Sequence, residues 1–180
     1  QTALATGDVD ITYKDATQSS GYSTASVRGT VSADDGVSTT GASFSAIAKA
    51  AAINDLSATT GVRAIVEETD TAGATITGGA LDASNYITIN DEKISGFTIQ
   101  ANDADGSLVD AINAVSDETG VVASLDSSSQ LVLTAADGRN IDIAVTGNGT
   151  VSGLATALST GQITLQSDEQ YQIGGSAAVT

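Results

Sequence analysis

The sequence contains no cysteine, histidine, proline, methionine or tryptophan. Without cysteine, disulfides, thiolate zinc sites and thiol catalysis are excluded together, and nothing about redox compartment can be read. Without histidine the usual general base and the commonest metal ligand are missing, which rules out Ser-His-Asp catalysis. Aromatic residues are scarce, with 2 Phe and 4 Tyr in 180 residues, so a core must be filled by Ala, Val, Ile and Leu. Small aliphatic side chains favour thin layers over a deep interior. Basic residues are also few, 6 against 22 acidic for a net charge of -16. Nucleic acid and anionic membranes would be repelled, so neither is expected as a partner. No apolar run approaches the roughly 20 residues of a membrane span, and no basic segment leads into an apolar one as in a secretory signal peptide. The chain starts at Gln1 instead of Met, so it reads as an excised fragment lacking its native termini, expected to be monomeric in isolation.

What is present is 41% hydrophobic residues, 19 Gly and abundant Ser and Thr, the composition of strands joined by polar turns. Residues 7–13 alternate apolar Val9 and Ile11 with polar neighbours and predict a half-buried strand. A loop-like stretch over 14–42 holds one short strand around Ala25 to Val31. An Ala-rich helix is predicted over 44–58, with Ser43 as N-cap and Gly61 as its stop, then a strand over 62–68 and another short strand closing a first unit at Gly78–Gly79. The second unit opens with strands 86–90 and 94–100 around the turn 91–93. Its helix has Leu108, Ala111, Ile112 and Val115 on one face, Ser107 as N-cap and Asp110 at the capping-box position, and ends at Gly120. Strands 121–125, 130–134 and 141–145 follow. A weak helix or loop at 151–160 and strands at 162–167 and 171–175 complete the chain. The fold class is α+β, β-rich: two small units, 1–79 and 80–180, each with antiparallel strands packed against one short helix, with 147–180 able to return to the first.

One phrase occurs twice. At an offset of 59 residues, Ile53, Asn54, Leu56, Ser57, Thr60, Gly61, Val62 and Ala64 align without gaps with Ile112, Asn113, Val115, Ser116, Thr119, Gly120, Val121 and Ala123. The shared pattern I-N-x-[LV]-S-x-x-T-G-V-x-A marks an internal repeat. Its physical content is the end of a helix, a left-handed stop at Gly and a strand leaving with its apolar side down. The two Asn are amides and cannot act as acid or base, so a structural role is expected for them, such as a hydrogen bond to nearby backbone. Lys49 stands where Leu108 lies in the other copy, so its stem either snorkels along the first helix or that helix packs differently.

Other candidate sites have plain readings. Residues 102–110, "NDADGSLVD", carry clustered carboxylates before a Gly, but the EF-hand template with Gly106 sixth puts Ala101 first and Ile112 twelfth, where carboxylates are required. A solvated turn and helix cap is the better reading there, with a weak calcium site as the alternative. Glu67 and Glu68 point to opposite faces of a strand and form no facing pair. Asp34–Asp35 reads as a turn, and the "GNGT" sequon at 147–150 as an Asn-Gly turn. No nucleophile elbow, zinc-protease or phosphate-loop motif occurs. No catalytic residue, metal or cofactor is expected, and the chain is not read as an enzyme.

The segments "AIAKAAAIND", "LSATTGVRA", "DAINAVSDETGVVASL" and "LVLTAADGRNIDI" together resemble the flagellin IN motif, over roughly 43–69 and 86–146. The tail "GLATALSTGQITLQSDEQYQIGG" resembles the segment that leads out of the variable region of flagellins. The resemblance implies D2- and D3-like outer domains of an extracellular filament subunit. It implies a structural role in motility and antigenic variation, with neighbouring subunits as partners through core helices absent from this stretch, and host surfaces or antibodies as further partners. It also implies O-glycosylation on exposed Ser or Thr. An adhesin-like binding module, or the equivalent region of a hook-associated protein, is the alternative.

Overall fold

The structure, a computed structural model, describes residues 1–176. In chain order the elements are β1 (Asp10–Lys14), β2 (Tyr22–Ser26), α1 (Ala46–Asn54), α2 (Ser57–Thr60) and β3 (Arg63–Val66). Next come β4 (Thr69–Thr75), β5 (Gly79–Leu81), β6 (Tyr86–Ile89), β7 (Glu92–Ile94) and β8 (Phe97–Ile99). Then α3 (Ser107–Asn113), α4 (Ser116–Thr119), β9 (Val122–Leu125), β10 (Gln130–Ala135) and β11 (Ile141–Thr146) follow. The chain closes with β12 (Ala157–Ser159), β13 (Ile163–Gln166) and β14 (Tyr171–Gly174). Among the described residues every strand pairing is antiparallel, and the protein is β-rich with short helices.

The chain forms two compact units. One comprises 1–37, 41–67 and the returning segment from Gly161; the other comprises 38–40 and 68–160. The first unit pairs strands in the order β14-β1-β2 and separately β3 with β13. Its core is aliphatic, with Val9, Ile11, Ala52, Ile53, Val62 and Ala64 buried and Leu56, Ile163 and Leu165 packed against them. The alternation in β1 explains this: Ile11 is fully buried while Thr12 and Lys14 face outward. The second unit holds three sheets, β4-β10-β9, β12-β11-β6-β7 and β5-β8. Ile87, Ile89, Leu108, Ile112, Leu131 and Leu133 are among its buried side chains.

Several elements lie elsewhere than the sequence predicts. The first short strand is Tyr22–Ser26 instead of Ala25 to Val31, because it is registered on β1, with Ala25 opposite Ile11. Helix α1 starts later than residue 44: Ser45, not Ser43, is its N-cap and accepts from the Ala48 amide at 3.1 Å, while 42–44 form a separate 3-10 turn. The hairpin expected around 91–93 turns one residue earlier, at Asn90 and Asp91. Both have positive φ, 48° and 72°, as a type I′ turn requires. Residues 69–75 do not close the first unit but pair with β10. A half-polar strand carries no address in its own alternation, and its partner decides where it goes. The break between the units falls at Glu67–Glu68, before the Gly78–Gly79 pair. The stretch read as weak helix or loop, 151–160, ends a 3-10 turn (149–152) and continues as strand β12.

Arg28 fastens the first unit near the end of α1. Its guanidinium is bidentate to Asp34, at 2.8 Å for both contacts, and its Nε donates to Asp55 at 2.6 Å. Asp34 also accepts from the Val31 amide. The Arg28 guanidinium is the main cause holding the Asp34 carboxyl below its ordinary value of 3.8, against a raising effect of burial. A depressed folded value means a stabilising contribution present above the unfolded value and lost as pH falls through the folded one. Chemical denaturation of the protein below pH 3.8 should therefore show progressive loss of first-unit stability, and Arg28→Gln should flatten that acid limb without altering the neutral-pH fold.

The pairing of β3 with β13 generates a second expectation. A single protease cut in the 159–161 connection should leave 161–176 bound to 1–67 through β3–β13 and β1–β14, so the pieces co-elute on a sizing column without denaturant. Separation of the pieces under those conditions would contradict the topology.

Candidate functional site

The doubled phrase has the same backbone course in both units. In the first, α1 ends at Asn54, Leu56 takes φ -96° and ψ 0°, α2 follows, and Gly61 adopts φ 70° and ψ 0°. In the second, α3 ends at Asn113, Val115 takes φ -112° and ψ 17°, α4 follows, and Gly120 adopts φ 69° and ψ 14°. The amides that close each stop match residue for residue. Gly61 donates to the Ser57 carbonyl at 2.9 Å and Gly120 to the Ser116 carbonyl at 2.8 Å. Such a left-handed end is free of steric cost only for glycine.

The repeated polar residues act on backbone. Asn54 Nδ2 donates to the Ala64 carbonyl at 3.0 Å while its Oδ1 accepts from the Ala64 amide at 2.8 Å. Asn113 does the same to Ala123, at 3.1 and 2.7 Å. Each side-chain amide thus presents to the departing strand what a neighbouring strand would present, one donor and one acceptor. A carboxylate could offer only acceptors, and an apolar residue neither. Thr60 and Thr119 accept from the amides of Val62 and Val121, both at 3.1 Å, across the glycine stop. Ile53, Ile112, Val62 and Val121 are fully buried, Ala64 and Ala123 are buried beside them, and Leu56 and Val115 pack half-buried.

Around this shared frame the copies differ. Lys49 is buried and donates to Gln1 Oε1 at 3.1 Å, and burial pushes its ammonium below its ordinary value. Leu108, its counterpart, is a core residue. In the second unit Arg139 lies across Gly120, where a Cβ would collide with its guanidinium. Arg139 Nη1 donates to the Thr119 carbonyl at 3.2 Å, and Asn90 Nδ2 donates to the same oxygen at 2.8 Å. Asn90 also exchanges two hydrogen bonds with the Asp142 backbone. Sequence reasoning missed both residues, and the only available signal was an Asn closing the strand 86–90.

Which strand each copy pairs with was not assigned from the sequence. Strand β9 pairs with β10, placing Leu133 opposite Ala123 and Leu131 opposite Leu125. Strand β3 pairs with β13, placing Leu165 opposite Ala64 and Ile163 opposite Val66. The two partners share the pattern Q-[LI]-x-L, "QLVL" from Gln130 and "QITL" from Gln162. In the second unit the partner comes next in the chain. In the first it comes only after the whole of 68–160.

The clustered acids of 102–110 do not converge on a common point. Asp103 is buried, with φ 47°, and its two oxygens accept from the amides of Leu108 and Val109 at 2.9 and 3.0 Å. It, and not Ser107, caps α3, because the loop folds it back under the helix start while Ser107 is already the first helical residue. Asp105 accepts instead from Ser107 and Gln100. Among the described residues no group of three or more His, Cys, Asp or Glu is placed to hold a metal ion. Asp117 and Glu118 are exposed on α4.

Three outcomes are expected from thermal and denaturant unfolding. Asn113→Ala should cost about 1–3 kcal/mol by stranding both backbone groups of Ala123, and Asn54→Ala somewhat less because Asn54 is more exposed. Asn113→Asp should be more stable at pH 4 than at pH 7. The protonated acid can donate to the Ala123 carbonyl, so its folded pKa is raised and its contribution fades as pH rises through that value. Gly120→Ala should destabilise more than Gly61→Ala, which meets only Ser167 Oγ at 3.8 Å, and Arg139→Ala should narrow the difference.

Against known proteins, residues 87–137 match the flagellin hook IN motif, which takes in the second copy with β6 and β10. The chain is 36% identical over 157 residues to flagellin A of Helicobacter felis, covering 87% of this chain and 28% of that protein. It is 34% identical over 140 residues to flagellin A of Helicobacter pylori, 77% of this chain and 25% of that protein. It is 41% identical over 103 residues to flagellin B of the same species, 56% of this chain and 20% of that protein. The chain therefore spans between a fifth and somewhat more than a quarter of the length of these relatives. Residues 87–137 thus match the model of this motif, and most of the chain is similar to one stretch of these flagellins.

Proposed function

We propose that the chain is a structural, surface-exposed outer segment of a flagellin in the bacterial flagellar filament, built from two IN-type units. The observation that carries this reading is the agreement between the copies. The helix end, amide clamp, glycine stop and departing strand recur bond for bond in the second unit, within the matched motif, and in the first, outside it. The first unit corresponds to a D2-like domain and the second to a D3-like domain inserted in it. The repeated residues are scaffold, and no reaction is assigned to them. The exposed acidic surface contributes solubility and antigenic character, meeting antibodies and host surfaces, while neighbouring subunits join through parts of the protein outside this chain. The site of action is extracellular.

Labelling on living cells tests this. The chain contains no cysteine, so Ser127→Cys in the exposed β9–β10 turn of the full-length protein offers a defined thiol. A membrane-impermeant maleimide dye should decorate assembled filaments along their whole length, with swimming retained. Filaments that form but stay unlabelled would sink the outer-surface reading, and label confined to cell bodies would sink the flagellin reading.

A further inference from the structure

The first unit carries a cleft of about 550 Å³ lined by Thr12, Tyr22, Glu169, Gln170, Tyr171 and Gln172. It lies over the outer face of the β14-β1-β2 sheet. Ile11 points into the core, so Thr12 and Lys14 point out, and the register sets Gln172 beside Thr12 and Tyr22 beside Lys14. At about 4.8 Å between strands, the cleft crosses roughly 10 Å of sheet, the width of one or two sugar rings.

Its chemistry is unusual for this chain. Only six aromatic residues are available in all, yet Tyr22 stands 47% exposed at the cleft. Tyr171 is held in its wall by a hydrogen bond from its hydroxyl to the Leu165 carbonyl at 3.2 Å. The side-chain amides of Gln170 and Gln172 make no hydrogen bond with the described residues, so both keep donors and an acceptor for a ligand. Lys14 is paired with Glu169 at 3.3 Å, and none of the described residues lining the cleft is a cation.

These features choose among ligand classes. An anion would meet the Glu169 carboxylate and a chain of net charge -16, with the one nearby ammonium engaged. A wholly apolar ligand would desolvate two amides without satisfying them. A neutral saccharide fits both constraints, since its C–H face packs on an aromatic ring while its hydroxyls both donate and accept at the rim. We propose that this cleft binds a neutral oligosaccharide, stacked on Tyr22 and hydrogen-bonded by Gln170, Gln172 and the Glu169 carboxylate. The inference uses neither the repeat nor the flagellin matches, and it stands or falls separately from them.

The test is an array of neutral oligosaccharides, galactose–N-acetylglucosamine repeats and mannose oligomers, printed beside sialylated forms of the former and probed with the fluorescently labelled 180-residue chain. Signal is expected on neutral spots and not on sialylated ones. Tyr22→Ala should lower the signal about tenfold or more; Tyr22→Phe, which keeps the ring, should preserve it. Gln172→Ala should weaken it at unchanged melting temperature. Absence of signal on every neutral sugar, preference for sialylated spots, or full binding by Tyr22→Ala would each overturn the proposal.

Discussion

The side-chain amides of Asn54 and Asn113 each satisfy both backbone groups of a single alanine, and the rest of each unit is arranged around that clamp. A strand that leaves a helix end has one edge to offer the sheet and one edge facing the helix. On the helix side there is no backbone to pair with, and a buried unpaired amide or carbonyl costs about as much as the lost hydrogen bond. The clamp supplies the missing pair at the point of closest approach, where Ala64 and Ala123 are small enough to let the helix sit down. The glycine stop sets the angle of departure, and Ile53 with Val62, or Ile112 with Val121, closes the apolar seam.

Given that frame, the remaining edge must find a strand, and the two units find one in different ways. In the second unit the Ser-rich turn delivers β10 at once. In the first the chain departs after Glu67, builds an entire unit and comes back to lay Leu165 against Ala64. One local geometry thus serves as a self-contained hairpin and as an open bracket around an insertion. An aliphatic core suits this use, because small branched side chains pack in thin layers and need no large complementary pocket.

Much of this was legible in the residues. The repeat, the left-handed stop, the apolar stripe of Leu108, Ile112 and Val115, and the strands over 121–125, 130–134 and 141–145 follow from period and from glycine placement. What was not legible depends on distant partners. Nothing local in "TDTAGAT" says that it pairs with β10, and nothing near Arg63 says that its strand partner begins at Ile163. The Q-[LI]-x-L likeness of the two return strands was present but too short to stand out before the register was known. The cap of α3 was misplaced for a different reason: a buried aspartate four residues upstream reached both free amides first, a competition that turns on a positive φ at Asp103 and not on residue type alone. The cleft over β1 was equally hidden, since Thr12, Tyr22 and Gln172 meet only once three strands are in register.

The split pairing of β3 with β13 bears on how the chain reaches its native state. Bringing residues 63–66 to 163–166 before anything between them has folded would close a loop of roughly one hundred residues, an entropic barrier that local hairpins do not face. If 68–160 condenses first through its shorter-range pairings, its ends at Glu68 and Thr160 become fixed points and the effective loop shrinks. Folding is then ordered from the middle outward, and the first unit to be synthesised is the last to be completed.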